Sequence, residues 1–136
     1  MDYEWSSDLE TGYKNIDEQH KQLFESMNDM LRACRRGAHR DEVVKIADFL
    51  VNYTMQHFAD EEELQLKHHY PAYTQHKRLH NNFRAVVSGL AGRLAQEGPT
   101  LDLITEVYFT IGRWLDSHIK GEDLKIALHV KGRVSG

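Results

Sequence analysis

Two pairs of potential metal ligands occur at the spacing of one helical turn. His57 and Glu61 lie four residues apart in the segment HFADEE, and His76 and His80 repeat that spacing in YPAYTQHKRLH. Side chains at positions i and i+4 of a helix lie on the same face, about 6 Å apart, so each pair could bind one metal centre. Taken singly, such a histidine is more often an ordinary core or surface residue.

The positions of these pairs depend on helices, and every long segment of the chain has the helical period. We predict helices over residues 17–36, 41–68 and 72–96, with Asp41 as the N-cap of the second. A fourth helix is predicted to begin near Pro99 and to end before Gly121, and a short, weaker helix follows in EDLKIALHV. The first 16 residues have no period and predict an irregular arm.

Short connections between these helices predict an all-α fold, because short loops force neighbouring helices to run in opposite directions. The expected architecture is an up-down-up-down antiparallel four-helix bundle with an irregular N-terminal arm and a short C-terminal helix. We predict a single domain over residues 1–136, with the arm at 1–16, the bundle at 17–121 and a C-terminal tail at 122–136.

The inward faces of the predicted helices carry two further histidines, His20 in the first helix and His118 at the end of the fourth. In an antiparallel bundle all five histidines and Glu61 lie at the same end. Buried polar groups without partners would cost several kcal/mol, so a bound metal is the economical explanation. Because five imidazoles and a carboxylate exceed what tetrahedral zinc takes, two metals that share bridging carboxylates fit better.

A second bridging carboxylate is needed, and Asp123 is the best candidate. It follows His118 by five residues, where a regular helix would turn it about 140° away, so we expect the helix to end at Gly121 and the chain to bend back. Competing carboxylates point away from the ligands or lie in acidic runs, and Glu62 could at most contact a ligand; they are Asp116, Glu122, Glu62 and Glu63. The histidines in predicted loops and tails receive no metal role: His39, His68, His69 and His129.

Composition excludes several classes of function. The 136 residues carry a formal net charge of −4, and the one basic run, RACRRGAHR, falls at a helix end, so we expect no nucleic-acid partner. No apolar run approaches the ~18 residues that span a bilayer. One cysteine, Cys34, and the absence of a signal-peptide pattern predict a cytoplasmic protein.

The ligand motifs together resemble the hemerythrin family in its bacterial form. They are His20 in IDEQHKQL, His57 and Glu61 in HFADEE, His76 and His80 in YPAYTQHKRLH, and His118 and Asp123 in WLDSHIKGED. The resemblance covers about residues 5 to 130 and fills all seven ligand positions. It implies two iron ions (Fe²⁺/Fe³⁺) with an oxo or hydroxo bridge: His76, His80 and His118 on one iron, His20 and His57 on the other, and Glu61 and Asp123 bridging.

The same resemblance implies that dioxygen binds reversibly at the iron with two histidines, and that the protein is not an enzyme. Its role would be oxygen carriage or storage, or oxygen sensing beside a signalling domain in a larger protein. Four side chains fall next to ligand positions by helical spacing and are expected to line the oxygen pocket, although ordinary core packing explains them equally well: Phe24, Phe58, Trp114 and Leu115.

Three other functions are compatible with these residues. One is a di-iron redox enzyme of the peroxidase or oxidase type, and another is iron storage or detoxification. The third is a structural zinc site, since imidazole accepts iron, zinc and copper.

Overall fold

The computed structural model of the chain describes residues 3–135, so residues 1, 2 and 136 of the predicted arm and tail lie outside the described part. The described chain contains five α-helices and no strand. They are α1 (Lys14–Arg35), α2 (Arg40–Lys67), α3 (Tyr73–Glu97), α4 (Leu101–His118) and α5 (Leu124–Ser135), with a short 3₁₀ turn at Ser7–Leu9 and a π-helical turn at Ile119–Asp123.

Helices α1 to α4 form a bundle in which α1 packs on α2 and α4, and α3 packs on α2 and α4. Loops of three to five residues join consecutive helices, so neighbours run antiparallel as predicted. Two of these loops contain a glycine with positive φ, Gly37 at +75° and Gly98 at +81°, a conformation that favours glycine. No helix in the described part is sufficiently long and apolar to span a membrane.

Aliphatic and aromatic side chains fill the bundle between the four helices. Each helix contributes residues that are almost fully buried, among them Met27, Leu50, Val87 and Ile104. Burial of such side chains stabilises the fold by about 1.5–3 kcal/mol each. This apolar cluster joins the four helices and extends to the rings beside the histidines, among them Phe58.

Helix α1 begins at Lys14, three residues before the predicted start. The reason is Asp17, whose carboxylate accepts hydrogen bonds from the backbone N–H and hydroxyl of Thr11 at 2.8 and 2.7 Å. The N–H of Gly12 donates to the same carboxylate at 3.2 Å. Asp17 therefore lies in the first turn of α1 and ties the arm to it.

Helix α2 begins at Arg40, and the predicted cap at Asp41 is wrong. His39 is the N-cap, and its Nδ1 accepts a hydrogen bond from the backbone N–H of Asp41 at 3.2 Å. Asp41 lies in the first helical turn, where a carboxylate is favourable near the positive end of the helix dipole.

Helix α4 ends at His118, before Gly121 as predicted, but the predicted bend of the chain at Gly121 is wrong. The backbone continues from α4 through the π-helical turn into α5, and the N–H of Leu124 donates to the carbonyl of Ile119, five residues earlier. A hydrogen bond of this kind widens the turn, so that residues five apart come to lie on one side of the helix. The wide turn replaces the predicted bend as the means of aligning Asp123 with His118.

The N-terminal arm packs across α1 and α4 through Tyr3. The N–H of Tyr3 donates to the Tyr108 hydroxyl at 2.8 Å, and the Asn28 amide donates to the Tyr3 carbonyl at 2.8 Å. Its ring lies beside Gly112, where an added Cβ would overlap the ring and lie 2.8 Å from the Met27 methyl. Because Gly112 has no side chain, the Tyr3 ring can pack directly against it.

We predict that Gly112→Ala displaces Tyr3 and lowers the free energy of unfolding. Alanine gains about 1 kcal/mol of helix propensity over glycine, but overpacking costs about 1–3 kcal/mol. Urea unfolding should therefore show a net loss of about 1 kcal/mol. Gly89→Ala on α3 is the control, because a Cβ there meets nothing within 4 Å and should stabilise the protein. Equal stabilisation by both substitutions would contradict the packing role of Tyr3.

Candidate metal centre

The seven predicted ligands converge at one end of the bundle and form two groups of potential metal donors. The first group is Glu61, His76, His80, His118 and Asp123, and the second is His20, His57, Glu61 and Asp123. Within each group the donor atoms all lie within 4.8 Å of one another. All seven residues are buried, and both carboxylates belong to both groups.

The first group contains three imidazoles whose Nε2 atoms face a common point. These atoms form a triangle with sides of 3.0 Å (His76 to His80), 3.1 Å (His80 to His118) and 2.8 Å (His118 to His76). Metal–nitrogen bonds of about 2.1 Å place nitrogens about 3.0 Å apart at right angles and about 3.4 Å apart in a tetrahedron. The triangle therefore fits one face of an octahedral ion better than tetrahedral zinc.

In the second group, the Nε2 atoms of His20 and His57 lie 3.1 Å apart. The ring centroids are separated by 4.6 Å, with the planes tilted by 68°. This group offers two imidazole nitrogens where the first offers three. A metal held there would have fewer protein donors and more room for an external ligand.

Each carboxylate turns one oxygen toward each group. Glu61 Oε1 lies 2.9 Å from His76 Nε2 and 3.2 Å from His80 Nε2, while its Oε2 lies 3.4 Å from His57 Nε2. Asp123 repeats the division, with Oδ1 3.1 Å from His118 Nε2 and Oδ2 3.1 Å from His20 Nε2. This is the arrangement that two metals sharing two carboxylates require.

The hydrogen bonding of these atoms tests whether metal ions fit the site. All four carboxylate oxygens of Glu61 and Asp123 are buried, and none accepts a well-directed hydrogen bond despite the short contacts. A buried carboxylate without partners is costly, and such groups in proteins are paired or coordinate metals. These oxygens and the imidazole Nε2 atoms face the same two points, one in each group, so the residues present fit a pair of cations.

Charges within the cluster shift the pKa values of its members. Burial disfavours the imidazolium form of His76 and His118, but attraction to Asp123 and Glu61 outweighs it and raises the pKa of each to about 9. Burial and repulsion from Asp123 oppose ionisation of Glu61, but three imidazoles outweigh them and lower its pKa to about 2. Burial, with repulsion from His20, lowers the pKa of His57 to about 4. Without metal, protonated His76 and His118 therefore balance the two carboxylates.

Two ligand histidines are oriented by partners at their other ring nitrogen. His57 Nδ1 lies 2.8 Å from Gln19 Oε1, an oxygen that can only accept, so the proton is on Nδ1 and the Nε2 lone pair is free for a metal. Gln19 is itself held by a 2.6 Å hydrogen bond from its Nε2 to Asp60. Such partners fix the tautomer and the ring orientation of metal ligands.

His80 has a charged partner. Its Nδ1 lies 2.8 Å from Glu62 Oε2, and Arg84 donates to both oxygens of Glu62 at 2.8 and 3.1 Å. Burial opposes the charged form of Glu62, but Arg84 and His80 outweigh it and lower its pKa below the ordinary value. Glu62 therefore orients the ligand His80 and is not itself a ligand, in agreement with the role that the sequence analysis left open for it.

Of the four residues predicted to line an oxygen pocket, three lie in the core and the half-buried Trp114 packs against it. Phe58 stacks on the His80 ring at 4.2 Å and 16°, and Trp114 stacks on the His118 ring at 4.2 Å and 13°. Phe24 and Leu115 are buried in the same apolar cluster. The competing acidic residues and the loop histidines named above do not enter either donor group.

Sequence reasoning missed Gln19 and Arg84. Arg84 lies four residues after His80, so helical spacing could have placed it on the same face. Gln19 gives no such signal, because its contact with His57 depends on how α1 is rotated against α2.

The chain matches the family model of the hemerythrin HHE cation binding domain over residues 11–127. It is 37% identical over 131 residues to bacteriohemerythrin of Stenotrophomonas maltophilia, an alignment that covers 96% of this chain and 83% of that protein. It is 28% identical to myohemerythrin of Theromyzon tessulatum, over 90% of this chain and 89% of that one. A crystal structure of wild-type hemerythrin superposes with a TM-score of 0.80 at 26% identity, covering 93% of this chain and 95% of that chain.

We predict that Glu62→Gln lowers the equilibrium affinity for metal by about 10–100-fold, the usual effect of losing an outer partner of a metal ligand. Glutamine cannot supply the negative charge that makes His80 a better donor. A competition titration against a chelator measures the change. Glu63→Gln is the matched control, since Glu63 is the neighbouring glutamate and is exposed. Equal affinities of the two variants would contradict the role of Glu62.

Metal removal should make stability depend on pH between about 6.5 and 9. Because the folded pKa values of His76 and His118 lie above the unfolded value of 6.5, their stabilising effect is complete below pH 6.5 and is lost as the pH rises through 9. Urea unfolding of the metal-free protein should lose about 3 kcal/mol for each of the two histidines over this range. The loaded protein is the control, and its stability should stay nearly constant there because metal replaces those protons. A flat profile for the metal-free protein would contradict the charge balance described.

Proposed function

This chain belongs to the hemerythrin family, and on that premise we propose that its buried cluster holds two iron ions and binds dioxygen reversibly. Proteins of this family bind oxygen at a di-iron centre and are not enzymes. The observation that carries the proposal to this chain is the division of the Glu61 and Asp123 oxygens between two imidazole groups. A single metal would not explain why the two oxygens of each carboxylate face different imidazole groups.

The proposed ligands follow from that division. His76, His80 and His118 would hold one iron, His20 and His57 the other, and Glu61 and Asp123 would bridge the two. When bound, the ferrous pair supplies the electrons for reversible binding of dioxygen. The unequal number of imidazoles favours the ion held by His20 and His57 as the one that accepts an external ligand.

The protein's part in this chemistry is to hold, orient and shield. Gln19 and Glu62 keep the proton of His57 and His80 on Nδ1, so both rings present a lone pair at Nε2. The two carboxylates are the negative charges that offset part of the iron charge. We propose that the oxygen pocket is lined by apolar side chains that exclude water and so slow irreversible oxidation: Phe24, Phe58, Trp114 and Leu115.

For the cellular setting we propose oxygen carriage or storage in the cytoplasm. The single cysteine, Cys34, is a free half-buried thiol, which suits a reducing compartment. An oxygen-sensing role beside a signalling domain uses the same oxygen-binding chemistry and is the second candidate. The arm would then be the route for a signal, because Thr11 is hydrogen-bonded to Asp17 of α1 and lies beside Glu61 and Asp123.

The test combines iron analysis with the visible spectrum of the anaerobically reduced protein, recorded before air, after air and after oxygen removal. We expect about two irons per chain and an oxygen-dependent charge-transfer band that disappears when oxygen is removed. Glu61→Ala is the control variant, and it should hold fewer than two irons because it lacks a shared carboxylate. Two irons that oxidise irreversibly in air would favour a redox enzyme over an oxygen carrier, and absence of iron binding would refute the proposal.

A further inference from the structure

A groove of about 310 Å³ opens to solvent between the start of α1 and the last turns of α2. Tyr13, Ile16 and Leu64 form its floor, and the exposed side chains of Glu63 and Lys67 stand at its mouth together with Asp60. The groove carries two carboxylates against one ammonium group, so its mouth is weakly acidic.

A second, smaller cavity shares part of this floor. It measures about 10 Å³, which is about the size of one water molecule. Its charged lining is Glu61 and Asp123, and the rest of its lining is small or apolar apart from Thr11 and Tyr13. The cavity therefore borders the two shared carboxylates of the metal centre.

Three side chains line both the groove and the cavity: Tyr13, Ile16 and Leu64. A wall one side chain thick is therefore all that separates solvent from the shared carboxylates on this side. Leu64 and Tyr13 are only half-buried, and Tyr13 lies at the junction of the arm with α1. Small rotamer changes of these side chains would connect the two spaces.

We propose that metal ions load into and leave the centre through this wall. The inference rests on the proposed function, since it assumes that the seven ligands hold metal. A cation that crosses the wall meets the buried oxygens of Glu61 and Asp123 first. The weakly acidic mouth would concentrate cations outside it.

The other side of the centre is unsuited to this passage. The rings of His80 and His118 are covered there by stacked aromatics, and Phe83 lies parallel to Trp114 at 4.1 Å and 4°. Arg84 also lies over the Phe58 ring at 5.4 Å, where it is held by its pair with Glu62. A hydrated cation would have to separate several packed rings to pass here.

The first experiment measures iron release from the loaded, anaerobically reduced protein into excess chromogenic ferrous chelator. Leu64→Ala should open the wall and speed release about tenfold, which is about 1.4 kcal/mol off the barrier. Leu64→Trp should thicken it and slow release about threefold, with Leu64→Phe in its place if the tryptophan variant does not fold. Ile46→Ala is the matched control: a half-buried aliphatic residue on the same helix that lines a different surface depression, beside Asp29 and Arg32.

The second experiment measures ferrous uptake by the metal-depleted protein at low and high salt. Glu63→Gln should slow uptake about twofold and Lys67→Gln should speed it about twofold, and both differences should shrink at high salt. Because the mouth affects loading and release alike, neither variant should change the equilibrium affinity or the final iron content.

The outcomes separate this proposal from the proposed function. Fewer than two irons in the unaltered protein would refute the metal assignment itself. Two irons with equal acceleration by Leu64→Ala and Ile46→Ala would show that release follows global unfolding and would overturn the route. A slower dioxygen association in Leu64→Trp with unchanged iron release would also overturn it, because the wall would then admit dioxygen instead of metal.

Discussion

Two carboxylates buried side by side are the constraint on which the rest of this structure depends. Removing an ionised carboxylate from water costs several kcal/mol, and the net stability of a domain of this size is only about 5–15 kcal/mol. Glu61 and Asp123 must therefore be compensated in every folded state. Two protonated imidazoles do this without metal, and two cations would do it with metal. Since the compensating groups come from all four bundle helices, the site is also part of what holds one end of the bundle together.

Much of this arrangement could be predicted from the sequence, because it follows from helical period and short loops alone. The period places the histidines and Glu61 on inward faces, and the antiparallel order brings those faces to one end. The sequence indicates Asp123 as the second shared carboxylate, but it does not predict how Asp123 is aligned with His118. A regular helix points it away from His118, and the π-helical turn that aligns them includes a backbone hydrogen bond from Leu124 to Ile119. Nothing in the side chains marks that turn, since Gly121 faces open space.

The partners behind the ligands show a second limit. Glu62 of α2 reaches His80 of α3 and is held by Arg84, and Gln19 reaches His57 across the interface of α1 with α2. Whether such side chains meet depends on the rotation of one helix against another, which packing along the whole interface decides. The hydrophobic period alone fixes the rotation of a helix about its axis only roughly, because its apolar stripe is about 100° wide. The metal ligands can be predicted despite this uncertainty, because all of them point toward the bundle axis. Their hydrogen-bond partners lie at the edge of the apolar stripe and cannot be predicted in this way.

The two imidazole groups of the centre differ in the side chains that cover and orient their histidines. The three-imidazole group is covered by stacked rings, and its His80 is oriented by a charged carboxylate that Arg84 fixes in turn. In the other group, Gln19 orients His57, and each group keeps one buried Nδ1 atom without a hydrogen-bond partner, that of His76 and that of His20. Aromatic cover is thus concentrated on the half with more protein donors, which is the half proposed to keep its ion unchanged. The half with fewer protein donors is the one at which we propose that an external ligand binds and leaves. The unequal count of histidines and the unequal aromatic cover therefore favour the same division of tasks between the two ions.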